Sequence, residues 1–588
     1  MSGIAGIYAE QFADERLAQA MIKQLGHRGP SGPALLGEGR VVCAQARGPD
    51  ASDDALPLRS LDGSLLLVAD GMIDNAAELR AHLEARGHRH YGDSDWELLL
   101  SAYTEYGEDL PRHIDGVYVF ALYDRIARKL LLVRDRLGVR PLFLARTGNG
   151  WAFASELKGL LPALGAPAID PRALAQFLQG RFSAGRHTLL AGTTRVQAGE
   201  LVILNEHGEI DQRSYWTLAE TTSTRIKASE ANARFDRLAR ETLSAHVSAE
   251  SMLLCDGEQS TQLLALMAAH GTMPAATVGF PGDNAAAKLA AHFGIPHHII
   301  GTKEDMSAEG LARQFALHVW AADDLIFDHA APARLLAAES IGKERNQLLA
   351  AIGSAEIFAS AARYRRGFLQ GLIARLFEPD IADLTKGVFQ GQERALFGPA
   401  LHRAAPEWRA PYTQALAAYA NNLSELQRRQ CLDLTVTLPE RTLASFDRTV
   451  NAQGGTWRAP WMDRRLVEFG FALPDRIKTA RISLPQRHAR ALLPANLVHA
   501  RVPLLPLRTW LSGETLERAG RVLSASPPLR AWLHKDALSG IIDAARAGRP
   551  ASTLRLALIL QFALWHRIFI EGDGTRPEAG DPVKLLED

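Results

Sequence analysis

Two segments of this 588-residue chain set glycine, hydroxyl-bearing and acidic residues directly after short apolar runs. One is Cys255-Asp256-Gly257-Glu258-Gln259-Ser260-Thr261, behind the run 251–255; the other is Gly353-Ser354-Ala355-Glu356, behind 347–352. Apolar runs that alternate with helical periodicity form a parallel sheet, whose ligands bind beyond the carboxyl ends of the strands. These two turns are therefore where ligand chemistry is expected. Other chemically able residues carry a blander expectation. The pair His297-His298 lies at the start of a predicted strand and is read as structural. Arg345, Arg363, Arg365 and Arg366 are read as a solvated face. Cys43, Cys255 and Cys431 lack metal-ligand spacing, so they are read as buried small hydrophobes with no disulfide and no zinc.

The elements that must position these residues fall into two styles. Up to Trp216 the chain reads as short strands (63–68, 118–123, 129–133, 151–154) with helices at 75–86 and 94–106, the pattern of stacked antiparallel sheets. From Lys227 onward strands and helices alternate. A helix carries Phe235, Leu238, Ala239, Leu243 and Val247 on one face; then come strand 251–255, strand 275–280, helix 284–292, strand 297–300, helix 307–320 and strand 347–352. Beyond Phe358 the chain reads as helical to Gly572, and the tail after it as loose. The predicted domains are 1–216 and 227–588.

Composition narrows the function classes. Lys plus Arg and Asp plus Glu both total 66, which gives no reason to expect nucleic acid or an anionic membrane as partner. Hydrophobic residues at 47% and charged residues at 22% are globular values. The start MSGIAGIYAEQFADE has no basic, apolar leader pattern, and no apolar run of 18 to 20 residues reads as a membrane span, so the expected location is cytoplasmic.

The amino-terminal half resembles class II glutamine amidotransferases, through HRGP at His27 to Pro30, Asp70-Gly71-Met72-Ile73, Ser94-Asp95, RDRLGVRPLF from Arg134 and SELKGL from Ser155. The second half resembles the ATP-pyrophosphatase domain of asparagine synthetases, most visibly in RAPWMDRRLVEFGFALPDRIK from Arg458. β-Lactam synthetases and lasso-peptide macrolactam cyclases share that architecture. The resemblance implies an N-terminal nucleophile-type αββα sandwich followed by an ATP-pyrophosphatase-like parallel α/β domain with a helical C-terminal part.

It also implies site residues, and here the chain departs. The family's amidotransferase begins Met-Cys-Gly, with the cysteine as nucleophile and its own α-amine as base; Ser2 stands there now, and a hydroxyl can fill that role. The family's oxyanion motif Asn-Gly-Glu reads Asp70-Gly71-Met72, which sets a carboxylate against the developing negative charge. Arg47 and Asp95 align with groups that hold the carboxylate and amine of glutamine, an amino-acid pocket, although a structural ion pair or solvated charge explains them too. In the synthetase loop SGGxDS, only Gly257 and Ser260 keep their identities and Thr261 keeps a hydroxyl. Asp256 replaces a glycine and Gln259 the metal-binding carboxylate. In the second loop Ala355 removes the other metal carboxylate and Ile352 takes a polar position, while Glu356 and Phe358 survive for packing. Arg501 stands near the family's lysine for pyrophosphate. Asp323, Asp324 and Asp328 match acidic positions of the family at a helix-to-loop boundary and are read as caps and surface charge.

Phosphoryl-type and adenylyl-transfer sites depend on positioned cations and donors, so these replacements point to coordinated loss. The expected role is a pseudo-synthetase: inactive glutaminase, degraded ATP and magnesium site, no resident metal, and an oligomer with a protein partner, either an intact paralogue or a peptide substrate. Two alternatives remain. One is an ATP-dependent amide synthetase or lasso-type cyclase using Mg-ATP with non-standard residues; the other is a Ser-dependent amidase.

Overall fold

The computed structural model describes residues 2–48, 56–89, 94–221, 224–343, 347–364, 387–417, 423–494 and 501–587. Arg345, Arg365 and Arg366 lie outside them. The amino-terminal half holds two six-stranded antiparallel sheets. In the first, Gly3–Ala9 lies between Val41–Ala46 and Gly150–Ala154, with Gly3 opposite Ala46 and Ala5 opposite Ala154. In the second, Gly116–Asp124 lies between Leu65–Ile73 and Lys129–Arg134.

Alternation along each strand builds four layers, because successive side chains leave a strand on opposite faces. Ile4, Tyr8, Leu66, Val68, Val119 and Phe153 form the core between the two sheets. Their neighbours Leu65, Leu67 and Ala69 pack against helices Ala76–Ala85 and Asp95–Tyr106. Ala5 and Ile7 pack on the opposite outer face with residues of helix Glu15–Lys23. This is the αββα sandwich.

The second half is built on a five-stranded parallel sheet in the order His297–Ile299, Ala276–Gly279, Ser251–Leu254, Gln347–Leu349, Thr456–Arg458. The fifth strand was not expected. Its three residues are too few to show a period, and it pairs with Gln347–Leu349 across more than a hundred intervening residues. The helix expected at 307–320 is two helices, Ala308–Arg313 and Phe315–Ala322. The first ends in a tight turn, Gln314 N–H to Leu311 O at 3.1 Å, and every residue of the second is buried.

Two further expectations need correction. The tail is docked: Gly580 N–H donates to Arg313 O at 2.9 Å, Trp320 Nε1–H donates to Gly574 O at 2.8 Å, and Val583 is fully buried. Arg518 fastens it through Asp581 at 2.6 Å and Glu587. The segment Pro550–Glu571 is also long and apolar enough for a membrane span, which counting unbroken apolar residues missed because Arg555 and Gln561 interrupt it. It is a core helix here, with 72% of that window buried and no exposed surface on residues 556–560.

Candidate functional site

Ser2 sits at the start of the first strand, 2% exposed, and faces Asp70 on the neighbouring sheet. Its backbone nitrogen and its hydroxyl both donate to Asp70 Oδ1, at 3.0 and 3.1 Å. The other carboxylate oxygen lies 3.3 Å from Arg28, which also donates through Nε to Ser2 O at 3.1 Å. Once Met1 is removed, that nitrogen is the α-amine. Asp70 Oδ1 then holds both the amine and the hydroxyl that such a mechanism pairs with each other. Gly71 has φ +120°, and a Cβ there would overlap Val117 O, so strand packing alone demands glycine. The structure thus brings Ser2, Asp70 and Gly71 together. Arg47 keeps a buried Nε without a hydrogen-bond partner. Asp95 is half exposed and lies 3.9 Å from Arg80.

Behind Ser2 lies a buried ionic network that joins the two halves. Arg28 bonds Glu156 at 2.7 Å and, across the interface, Asp447 at 3.1 Å; Arg140 bonds Asp447 at 2.6 Å. Trp457 Nε1–H donates to the same Asp447 at 3.1 Å. Burial opposes ionisation of Asp447, yet Arg28 and Arg140 hold its carboxyl below the usual range. Glu156 likewise stays well below despite burial, through Lys158, His27 and Arg28. Burial pushes the His27 imidazole down even beside Glu156.

Asp323 belongs to this network and Asp324 to a neighbouring ion pair, and neither is surface charge. They are 1% and 3% exposed. Asp323 meets Lys158 at 3.2 Å and Arg448 at 3.4 Å, while Asp324 meets Arg195 and accepts from Ser183 Oγ at 2.8 Å. Asp328 pairs with Arg334 and accepts from Ser445 Oγ at 2.7 Å. Sequence pattern missed the partners of Asp323 and Asp324 because they come from distant segments, whereas Asp328 does cap its turn, accepting from Ala330 N–H at 2.9 Å.

The two loops of the second half lie side by side at the carboxyl ends of adjacent strands, with Leu253 in register with Leu349. Ser260 Oγ accepts from both Asp256 N–H and Gly257 N–H at 3.1 Å, and it donates to Gly257 O at 2.9 Å. Thr261 Oγ1 donates to the same carbonyl at 3.0 Å. Ser260 thus occupies the amides of Asp256 and Gly257. Gln259 Oε1 crosses to the second loop, accepting from Ser354 Oγ at 3.0 Å and Ala355 N–H at 3.4 Å. Gly353 has φ +101°, and a Cβ there would overlap the Met462 methyl.

Asp256 and Cys255 complete the turn, and burial pushes both the carboxyl and the thiol up. The segment after Arg501 closes over it: Val502 N–H donates to Asp256 O at 3.3 Å and Arg501 N–H to Asp283 at 2.8 Å. Glu356 pairs with Arg363, whose Nε donates to Asp433 at 3.1 Å; Arg363 is thus a half-buried partner rather than part of a solvated face. Phe358 packs edge-on against Phe235.

A magnesium triphosphate does not fit these residues. Hard divalent cations take carboxylate oxygens, and Gln259 and Ala355 supply none. The side-chain oxygen of Gln259 is already bonded across the loops. Among the described residues no group of three His, Cys, Asp or Glu gathers as a metal set.

One chemically able residue escaped sequence reasoning. Lys478 is 1% exposed and donates to Gln430 Oε1 at 2.7 Å and Phe471 O at 2.6 Å; burial pushes its pKa down to about 7. Gln430 in turn donates to Glu356 O and Ile357 O at 3.0 and 2.8 Å, linking Lys478 to the second loop. Its only signal was its place at the end of the long motif from Arg458.

Comparison with known proteins agrees with this architecture. A glutamine amidotransferase domain model matches residues 1–216, and an asparagine synthase model matches residues 237–567. Asparagine synthetase [glutamine-hydrolyzing] 1 of Bacillus subtilis is 24% identical over 625 aligned positions, covering 97% of each chain. Asparagine synthetase 3 of the same organism is 33% identical over 27% of each chain, and asparagine synthetase 2 is 28% identical over 37% of this chain and 31% of its own. With its asparagine synthase match spanning more than half its length, behind an amidotransferase domain, the chain belongs to the asparagine synthase family.

Proposed function

We propose that this chain is a non-catalytic subunit, a pseudo-synthetase that pairs with a catalytically intact paralogue in an amide- or lactam-forming pathway. The observation that carries this reading is Gln259, whose amide oxygen bonds Ser354 and Ala355 where catalytic relatives place two metal-binding carboxylates. Asp70 on Ser2 supports the same reading for the first half.

Surface features support a partner. Phe12, Leu61 and Ile126 are 75%, 86% and 78% exposed, the three most exposed large apolar side chains described. They belong to turns around one hairpin: Ala13 N–H donates to Gly39 O, and Glu38 pairs with Arg59 and with Arg125 at 3.6 Å. Three free, buried thiols fit a reducing compartment, and we place the pairing in the cytoplasm.

Affinity capture of the full chain from its native cell, followed by sizing of the complex, tests the proposal. An intact synthetase homologue in a stoichiometric complex is expected. A homo-oligomer or monomer that forms an amide from ATP and substrate unaided would overturn the reading.

A further inference from the structure

A cleft of about 610 Å³ opens between the two halves, away from Ser2 and from the loops at Gly257 and Gly353. Its wall carries six arginines, Arg112, Arg136, Arg234, Arg237, Arg464 and Arg465, against two glutamates, Glu220 and Glu468. Such a volume suits a small-molecule ligand rather than a chain.

Four of the arginines have carboxylate partners. Arg464 and Arg136 share the single Asp115, Arg464 by two bonds at 2.8 and 2.9 Å and Arg136 at 3.0 Å. Arg465 pairs with Asp463 and Glu241 at 2.8 and 2.9 Å, and Arg112 with Asp109 at 3.4 Å. Glu468 is engaged by Arg464 at 3.3 Å and by the Trp216 indole N–H at 3.0 Å. Arg234 and Arg237 have no carboxylate partner among the described residues. Both are exposed on helix Ala228–His246, and the Arg234 guanidinium lies over the Phe469 ring at 5.3 Å.

We infer that this cleft binds a small molecule carrying two or more phosphate charges. The guanidinium fork matches phosphate oxygens in pairs. Two forks without acid partners, lining one cleft, leave an anion as the missing counterpart. The ligand would touch both halves, since Arg112 and Arg136 come from the first and the other four from the second. No metal takes part, so binding is independent of the loop at Gln259.

Calorimetry on the full chain with EDTA present tests the inference, using pyrophosphate, ATP and, as a carboxylate control, citrate. Pyrophosphate or ATP is expected to bind, citrate at least tenfold more weakly, with affinity falling as salt rises. Arg234→Gln with Arg237→Gln should weaken phosphate binding at least tenfold while leaving the melting temperature unchanged, because both side chains are exposed. Gln259→Glu should leave it unaltered. No binding by either phosphate, equal binding of citrate, or full binding by the double variant would overturn the inference.

Discussion

One carboxylate oxygen of Asp70 receives both the nitrogen and the hydroxyl of Ser2, at 3.0 and 3.1 Å. In an N-terminal nucleophile, those two groups must exchange a proton with each other and then attack. Here a third group holds both, and the same third group occupies the position from which an oxyanion would need a donor.

Glutamine hydrolysis is therefore expected to be negligible. Ser2→Cys alone should restore little, whereas Ser2→Cys with Asp70→Asn should exceed it by about 10²-fold, the typical worth of one oxyanion donor. Ammonia release from glutamine is the measurement. Ordinary turnover by the native chain, dependent on Ser2, would refute this account.

The loops of the second half make a separate prediction. The native chain should show no magnesium-dependent ATP binding below about millimolar concentrations, while Gln259→Asp with Ala355→Asp supplies two carboxylates to the facing turns and should create it. Titration of ATP with and without Mg²⁺ distinguishes the two chains. An unchanged double variant would mean that the self-satisfied amides at Gly257, bonded to Ser260, also exclude phosphate.

Asp447 should be among the most costly single positions. It has no exposed surface and receives Arg28, Arg140 and Trp457. Asp447→Ala strips those buried guanidinium groups of a partner and should destabilise the chain by about 3–5 kcal/mol, the typical cost of breaking a buried pair. Denaturant unfolding reads this directly. A loss under about 1 kcal/mol would show that the network rearranges around the gap.

Lys478 predicts a pH dependence. Its folded pKa of about 7 lies below the ordinary 10.5, so between those values the unfolded chain binds the extra proton and stability rises with pH. The gain is about 1.4 kcal/mol per pH unit. Lys478→Met lacks this contribution, so the stability of the native chain relative to the variant should rise by about 2 kcal/mol from pH 7.5 to 9. A difference that stays flat over that range would rule out the buried neutral amine.

Sequence made the sheets legible where burial alternates or runs unbroken, as at 118–123 and 251–255, because period and length there have one solution. The turns after Leu254 and Ile352 followed from topology, and the structure places them side by side. What stayed hidden depends on long-range pairing. Asp323 looks like a surface cap until Lys158, some 165 residues earlier, is placed against it. Strand Thr456–Arg458 is defined only by the edge it completes. Lys478 shows nothing unusual until the apolar residues around it are seen to exclude water.

Gly353 carries a consequence beyond its loop. The Met462 methyl fills the space its side chain would need, so the turn takes its shape from the core packed beneath it and needs no ligand to hold it. Shape and reactivity are thus stored in different layers of the molecule. A change at Gln259, whose side chain bonds the second loop and not the core, alters what the turn can hold while the packing of Met462 on Gly353 stays as it is.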